Sequence, residues 1–160
     1  MDAYHIRPAT PQDLEVVLTH RRRMFEDMGF TERQALDIMI AVSTPLIRRG
    51  LMDGTYRGWL VETTGDVIVA GGGVIMLQFQ PHPLDARPQR AWVVNMFTDP
   101  EHRRRGLARR VVQTIVEWCR KEGMRFLYLH ASDDGRPLYE SVGFKSTNEM
   151  RLVLEESSQS

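Results

Sequence analysis

The stretch that carries most of the structural information reads TDPEHRRRGLARR, from Thr98 to Arg110. It follows a largely apolar segment, Ala91 to Thr98, which predicts a buried strand. It leads into a segment with an apolar stripe at helical spacing, and Gly123 supplies a stop signal. The sequence here therefore predicts a strand, a tight turn and an amphipathic helix from Leu107 to Cys119.

The charge at the start of this helix has the unexpected sign. A helix N-terminus carries about half a positive charge and unpaired N–H groups, so carboxylates are stabilising there. Five arginines instead lie between Arg103 and Arg110. They oppose the helix dipole unless an anion binds, and Gly106 and Ala108 leave room for a phosphate or pyrophosphate to reach the backbone. A solvated helix end and a nucleic-acid-binding cluster stay open as alternatives.

Composition limits the class of protein. The 160 residues predict one domain, residues 1–154, followed by a flexible tail, residues 155–160. Lys plus Arg and Asp plus Glu both number 21, so net charge favours neither nucleic acid nor an anionic membrane as partner. The single cysteine, Cys119, excludes an internal disulfide and a multi-cysteine metal site, and no metal is expected. Without a membrane-spanning run or a signal-peptide profile, the expected location is cytoplasmic.

The order of predicted elements is β-α-α-β-β-β-α-β-α-β. It predicts an α/β fold (an α+β mixed sheet) of three layers, with about six or seven strands and helices on both faces. Pro45 is expected to break or kink the second helix, and Gly71 to Gly73 to form a bulge or a close backbone approach. Residues 80–89 form a proline-containing loop that could lie over a site, and residues 145–154 are expected to add one or two terminal strands.

Two motifs in this order resemble a known family. Arg103 to Ala108 satisfies the pattern [QR]-x-x-G-x-[GA], and GRPLYESVGF follows about thirty residues later, from Gly135 to Phe144. The sequence thereby resembles the GNAT superfamily of N-acetyltransferases over nearly its whole length, most tightly from Ala91 to Phe144. The resemblance implies acetyl-coenzyme A as cosubstrate and acetyl transfer to a primary amine by direct attack in a ternary complex.

The resemblance also implies a role for each matched position. The backbone of residues 96–98 would pair with the pantetheine arm, and the turn from Arg103 to Arg109 would hold the phosphates. Ser132, where the family often has asparagine, would contact the arm or a nearby backbone group. Tyr139 would lie near the thioester sulfur and protonate the leaving thiolate. The predicted cofactor-binding residues are Met96, Phe97, Thr98, Arg103, Arg104, Arg105, Gly106, Leu107, Ala108, Arg109, Ser132 and Tyr139.

The general base is not assigned by the sequence. The family often places a glutamate on or near the fourth strand, but Arg90 to Thr98 contains no carboxylate. His130 is predicted to end a strand where the sheet opens, and histidine titrates near neutrality. His130 and Tyr139 are therefore the predicted catalytic residues. Solvent and four carboxylates stay open as alternatives for the base: Glu26, Glu62, Asp133 and Asp134.

The acceptor is expected to be a small-molecule amine. A protein N-terminus or lysine is the alternative acceptor, and a non-catalytic acyl-coenzyme A-binding module is the alternative function. Substrate selection is expected from the first two helices and the loop of residues 80–89. The cluster from His20 to Arg23 could attract an acidic substrate, although a solvated helix face is the favoured interpretation. A homodimer is left open.

Overall fold

The computed structural model describes residues 3–155; residues 1–2 and most of the predicted flexible tail, residues 156–160, lie outside them. Five strands and four helices follow one another with two short 3-10 turns. The elements are β1 (Tyr4–Pro8), a 3-10 turn (Pro11–Asp13), α1 (Leu14–Asp27), α2 (Arg33–Asp53), β2 (Tyr56–Thr63), β3 (Ile68–Gln78), β4 (Gln89–Thr98), a second 3-10 turn (Pro100–His102), α3 (Leu107–Lys121), β5 (Leu127–Tyr128) and α4 (Arg136–Val142).

The sheet is mixed, and its strand order is β1-β2-β3-β4-β5. The first four strands pair antiparallel with their neighbours, while β5 pairs parallel with β4. The parallel pair requires a crossover, which α3 provides. The predicted mixed α/β fold is confirmed, with five strands in the described part of the chain instead of about six or seven.

Apolar cores on both faces of the sheet hold the helices in place. On one face, α3 buries Val111 and Ile115 completely against strand residues such as Val61 and Val74. On the other face, α1 and α2 pack a second cluster against the sheet, made of Leu14, Val17, Leu18, Ile47 and Tyr56. Burial of each large aliphatic side chain contributes about 1.5–3 kcal/mol, so these layers fix where β4 and α3 lie.

A bulge interrupts β4 in the middle of the sheet. The register runs from the pair Gly71–Phe97 to the pair Gly73–Val94, so the single residue Gly72 faces two residues of β4, Asn95 and Met96. A Cβ atom on Gly72 would lie 2.2 Å from the sulfur of Met96. The first of the two predicted alternatives, a bulge at the glycines, is confirmed, with the extra residue on β4.

Two expectations about single elements are corrected by the structure. Helix α2 continues through Pro45, because buried residues on both sides of the proline, Leu36 and Ile47, anchor the helix. Residues 145–154 form no strand, since the neighbouring strand β5 is only two residues long and gives them no ladder to join. Within residues 3–155, no helix combines the length and the apolar character that crossing a membrane requires.

Candidate functional site

The sheet opens where β4 and β5 separate. These strands pair at two positions only, Ala91 with Leu127 and Trp92 with Tyr128. Beyond these pairs, Met96 to Thr98 on one side and His130 to Gly135 on the other line a cavity of about 1060 Å³, here called the cleft. The β4 edge in the cleft has backbone groups that an extended ligand can pair with as if it were an added strand.

The turn before α3 closes one end of the cleft. Gly106 is the N-cap residue, with φ +76°, and no side chain caps the helix. The first backbone bond of the helix runs from Arg110 N–H to the Gly106 carbonyl, so the preceding amides of the first turn point out of the helix end. A Cβ atom on Gly106 would meet no atom within 4 Å. The helix end is thus open and uncapped, a geometry that fits a phosphate or pyrophosphate.

The arginines around this turn are not equivalent. Arg103 donates to the Asp27 carboxylate and, at 3.0 Å, to the Thr98 carbonyl, so its position is fixed. Arg109 donates to Ser141 at 2.7 Å. The cleft is lined by all but one of the predicted cofactor-binding residues; Arg105 does not line it and instead reaches the Glu101 carbonyl at 3.4 Å. Positive charge at the open helix end therefore comes from Arg103, Arg104 and Arg109.

The opposite end of the cleft contains Tyr139 of α4, whose ring packs against the tight turn that precedes this helix. Ser132 Oγ accepts the Gly135 N–H at 3.1 Å and so holds the start of α4. A Cβ atom on Gly135 would lie 3.0 Å from Cε2 of Tyr139, so the glycine lets the ring pack against the turn. Burial raises the pKa of Tyr139 above its ordinary value of 10.0. The phenol is consequently held in its protonated form.

His130 lies on the wall of the same end of the cleft. Its Nε2 is 3.0 Å from Oε1 of Glu149, and its ring is 4.7 Å from the ring of Trp92. Glu149, the partner of His130 in this contact, was not predicted from the sequence, because it lies 19 residues further along the chain and belongs to no motif. A carboxylate on one nitrogen orients the imidazole and leaves the other nitrogen available as a proton acceptor.

The structure separates the remaining candidates for the base. Glu26 forms an ion pair with Arg22, and Glu62 with Arg7, and neither carboxylate lines the cleft. Asp133 and Asp134 do line the cleft, in the segment between His130 and α4. In the part of the chain that the structure describes, no group of three His, Cys, Asp or Glu side chains could hold a metal ion.

A second cavity adjoins the cleft and is here called the aromatic pocket. Its volume is about 670 Å³, and the cleft and the pocket share the residues between them: Met28, Phe30, His130, Ala131 and Tyr139. Rings from α1 and from the sheet form much of its wall, among them Phe25 and Trp92. None of residues 80–89 lines either cavity, so the predicted position of that loop over the site is wrong. Arg90 holds the loop elsewhere by donating to the Gln80 and Arg87 carbonyls.

The cluster from His20 to Arg23 is only partly a solvated helix face. His20 is 6% exposed, and burial lowers its pKa to about 4. Arg21 donates to Oδ1 of Asn95 at 2.9 Å and to Ser43 at 3.0 Å, and Asn95 donates to the Tyr56 hydroxyl at 3.2 Å. The first half of the cluster therefore faces the bulge in β4. Arg22 and Arg23 form ion pairs near the surface.

The chain is similar to known acetyltransferases. Residues 32–144 match the family model described as the Acetyltransferase (GNAT) family. Human N-acetyltransferase 8 is 29% identical over 97 residues, which are 57% of this chain and 39% of that protein. The match thus spans well under half of this curated relative.

Solved structures show the same architecture. A GCN5-related N-acetyltransferase from Ralstonia eutropha JMP134 has a TM-score of 0.87 and 31% identity, over 94% of this chain and 98% of that one. A predicted acetyltransferase with acetyl-CoA from Clostridium acetobutylicum has a TM-score of 0.84 and 23% identity, over 94% and 95% of the two chains. The second likeness shows the fold alone.

Proposed function

The chain belongs to the GNAT acetyltransferase family, and on that premise we propose that it transfers the acetyl group of acetyl-coenzyme A to a primary amine of a small molecule. The observation that carries the proposal is the cleft between β4 and β5, which has an uncapped helix end at Gly106 and a protonated tyrosine, Tyr139, near its other end. The helix end fits the charged phosphates of acetyl-coenzyme A, and Tyr139 fits the reactive thioester.

The phosphate end of the cosubstrate fits the turn. Amides of the first turn of α3 would donate to the pyrophosphate, and the positive end of the helix dipole favours its charge. Arg104 and Arg109 would reach the pyrophosphate or the ribose phosphate, since both line the cleft. Arg103 is bound to Asp27, so its contribution is expected to be smaller.

The pantetheine arm fits the open edge of β4. Its amides would pair with the backbone of Met96 to Thr98, in the space that the divergence of β5 creates. The bulge at Asn95 and Met96 changes the direction of the strand edge there, which would place the thioester near His130 and Tyr139.

The reaction that these groups support is direct attack within a ternary complex. The neutral amine attacks the carbonyl carbon, a C–N bond forms, and the C–S bond breaks. With a proton on His130 Nε2, donated to Glu149, Nδ1 has the lone pair that takes the proton of the amine. Tyr139 would give its proton to the departing sulfur, so charge and atoms balance.

Cavity size supports a small acceptor. The aromatic pocket, at about 670 Å³, lies in the range of small-molecule sites. A protein N-terminus or lysine is the less favoured acceptor for this reason, and a non-catalytic module is less favoured because His130 and Glu149 supply the base. Nucleic acid has no support from the net charge of zero. The cytoplasmic location stays a prediction.

The phosphate site can be tested by a pair of variants that differ only in charge. Aspartate and asparagine both tolerate positive φ better than other residues, so Gly106→Asp and Gly106→Asn should fold alike. The carboxylate would oppose the pyrophosphate, and we expect acetyl-coenzyme A to bind Gly106→Asp at least about tenfold more weakly than Gly106→Asn by calorimetry. Equal affinity of the two variants, or no binding by the unmodified chain at millimolar ligand, would contradict the proposal.

A further inference from the structure

We infer that the acetyl acceptor is an amine carried on an aromatic body, bound in the aromatic pocket. This inference rests on the proposed acetyl transfer and specifies the substrate class of that same site. It depends on where the pocket lies, what lines it, and which charges surround it.

The pocket adjoins the reactive end of the cleft. His130 and Tyr139 line both cavities, and so do Met28, Phe30 and Ala131. A molecule in the pocket therefore contacts the same two side chains that are proposed to take a proton from the amine and to give one to the sulfur. An amino group on a short linker can reach the thioester from there while the rest of the molecule stays in the pocket.

Aromatic rings form a substantial part of the pocket wall. It contains six of the thirteen Phe, Tyr and Trp residues of the chain. Trp92 and Tyr128 are register partners at the sheet edge and stack with centroids 5.3 Å apart, inclined by 24°. Phe25 and Phe30 meet edge to face at 5.6 Å on the α1 side. The full set of aromatic lining residues is Phe25, Phe30, Trp92, Tyr128, Tyr139 and Phe144.

Two of the apolar residues at the junction of the cavities are largely uncovered. Phe30 is 57% exposed and Met28 is 46% exposed. Large exposed apolar side chains beside a cavity mark a binding surface, because covering them with an apolar ligand removes area from water. An aromatic ligand also gains about 0.5–1.5 kcal/mol for each favourable ring pair.

Charge around the pocket disfavours acceptors with several ammonium groups. The lining cations are Arg136, Lys145 and Arg151, and the lining carboxylates are Glu140 and Glu149. Glu149 already accepts or shares a hydrogen bond with His130. A polyamine or an aminosugar with several cationic groups would thus find more cations than free carboxylates. An acceptor with a single amino group, neutral at the moment of attack, meets no such repulsion.

An amine panel tests the inference. Tryptamine and 2-phenylethylamine would be compared with spermidine and glucosamine by thiol release from acetyl-coenzyme A and by calorimetry on the protein saturated with coenzyme A. We expect kcat/KM at least about tenfold higher for the aromatic amines, with tighter binding of the same two. Preference for spermidine or glucosamine in either measurement would overturn the inference and leave the proposed acetyl transfer intact.

Two substitutions that each remove an aromatic side chain test whether the acceptor binds in the aromatic pocket. Phe25→Ala and Trp92→Leu each remove a ring that lines the aromatic pocket and does not line the cleft. Both should raise KM for tryptamine severalfold and leave the affinity for acetyl-coenzyme A unchanged. Phe79→Ala is the matched control, since Phe79 is 61% exposed and lines neither cavity. An unchanged KM in both pocket variants would overturn the inference. If the unmodified chain does not bind acetyl-coenzyme A, the proposed function would be overturned instead.

Discussion

The position of the Tyr139 ring depends on a nearby glycine, which has no side chain. Gly135, four residues earlier, lets the ring lie where any β-carbon would approach Cε2 to 3.0 Å. The ring then meets Phe144 edge to face at 5.9 Å and is largely removed from water. Because burial raises the pKa of this phenol, Tyr139 can act as an acid and not as a base near neutrality.

Removing the phenol should slow the chemical step and leave the binding of the cosubstrate intact. We expect Tyr139→Phe to lower the single-turnover rate by about a hundredfold, the lower end for loss of a general acid. Because burial raises the pKa of this phenol, loss of rate from its ionisation should begin at a higher pH than for an exposed tyrosine. Single-turnover rates measured from neutral to alkaline pH check both statements. Equal rates of the two proteins at every pH would remove Tyr139 from the mechanism.

His130 can be tested through the chemistry of its ring alone. His130→Ala should lower kcat/KM by about 10²-fold, and added imidazole should restore part of the rate, because a small base can occupy the vacated space. Thiol release with and without imidazole measures this recovery. His82→Ala, in an exposed loop, is the control and should behave as the unmodified chain. A defect that imidazole does not repair would indicate that His130 only supports the fold.

At the scale of the element, the bulge in β4 depends on contacts with α1 and β2, which lie far from it in the sequence. Asn95 has φ +58°, a conformation that costs an ordinary residue about 1–2 kcal/mol. Its side chain is 3% exposed, accepts from Arg21 of α1 and donates to Tyr56 of β2. Burial raises the pKa of Tyr56 to about 12, so the hydroxyl stays neutral. These two hydrogen bonds stabilise the bulge that changes the direction of the strand beside the cleft.

The two contributions of Asn95 can be measured separately. Asn95→Gly removes the hydrogen bonds but permits positive φ, whereas Asn95→Ala removes both advantages. We expect both variants to lose about 1–3 kcal/mol of unfolding free energy for the unpaired groups, and the alanine variant to lose about 1 kcal/mol more. Urea unfolding gives these values. If alanine and glycine prove equally stable, the backbone conformation at Asn95 stores no strain.

The elements that sequence predicted well are those whose signal is local. Helix α3 has its apolar stripe, its glycine stop and its turn within one short stretch, and the structure gives it as Leu107–Lys121. The strand predicted to end at His130 is only Leu127–Tyr128 in the structure, because the extent of a strand depends on whether its partner continues beside it. Pro45 was predicted to break or kink the second helix; the helix continues through it, since packing against β2 outweighs one lost hydrogen bond.

The site shows the same division. The residues of the turn and of α4 were predicted from local sequence motifs, and nearly all of them line the cleft. The contact of His130 with Glu149, and that of Arg21 with Asn95, join segments 19 and 74 residues apart. Nothing in the spacing of one sequence indicates such pairs, because they arise only when the sheet and helices assemble.

At the scale of the whole molecule, two buried titratable groups lie on the same side of the fold. His20 of α1 lies against Phe97, with ring centroids 5.0 Å apart, and burial lowers its pKa from 6.5 to about 4. Asp13, at the start of α1, accepts hydrogen bonds from Arg7 and Thr10, which lower its pKa from 3.8 to about 2. Both groups therefore bind protons more readily in the unfolded chain than in the native one.

Stability should accordingly fall in two separate steps as the solution is acidified. Between pH 6.5 and about 4, His20 binds a proton in the unfolded chain but not in the native state. The free energy of unfolding therefore falls by about 3 kcal/mol over this range. Below pH 3.8 the stabilisation from ionised Asp13 starts to disappear, and it is lost as pH falls through about 2. The first loss is centred at a higher pH than the second, and a variant of each residue separates the two contributions.

Urea unfolding as a function of pH tests this order. The variant His20→Gln should lose little stability between neutral pH and pH about 4, while the unmodified chain loses about 3 kcal/mol over the same range. Asp13→Asn should be less stable at neutral pH, keep the first step and show a smaller second step, since the pKa values of Asp53 and Asp99 are also lowered. His82→Gln, on the exposed loop, should follow the unmodified chain throughout. Parallel curves for His20→Gln and the unmodified chain would show that a group other than His20 takes up the proton in this pH range.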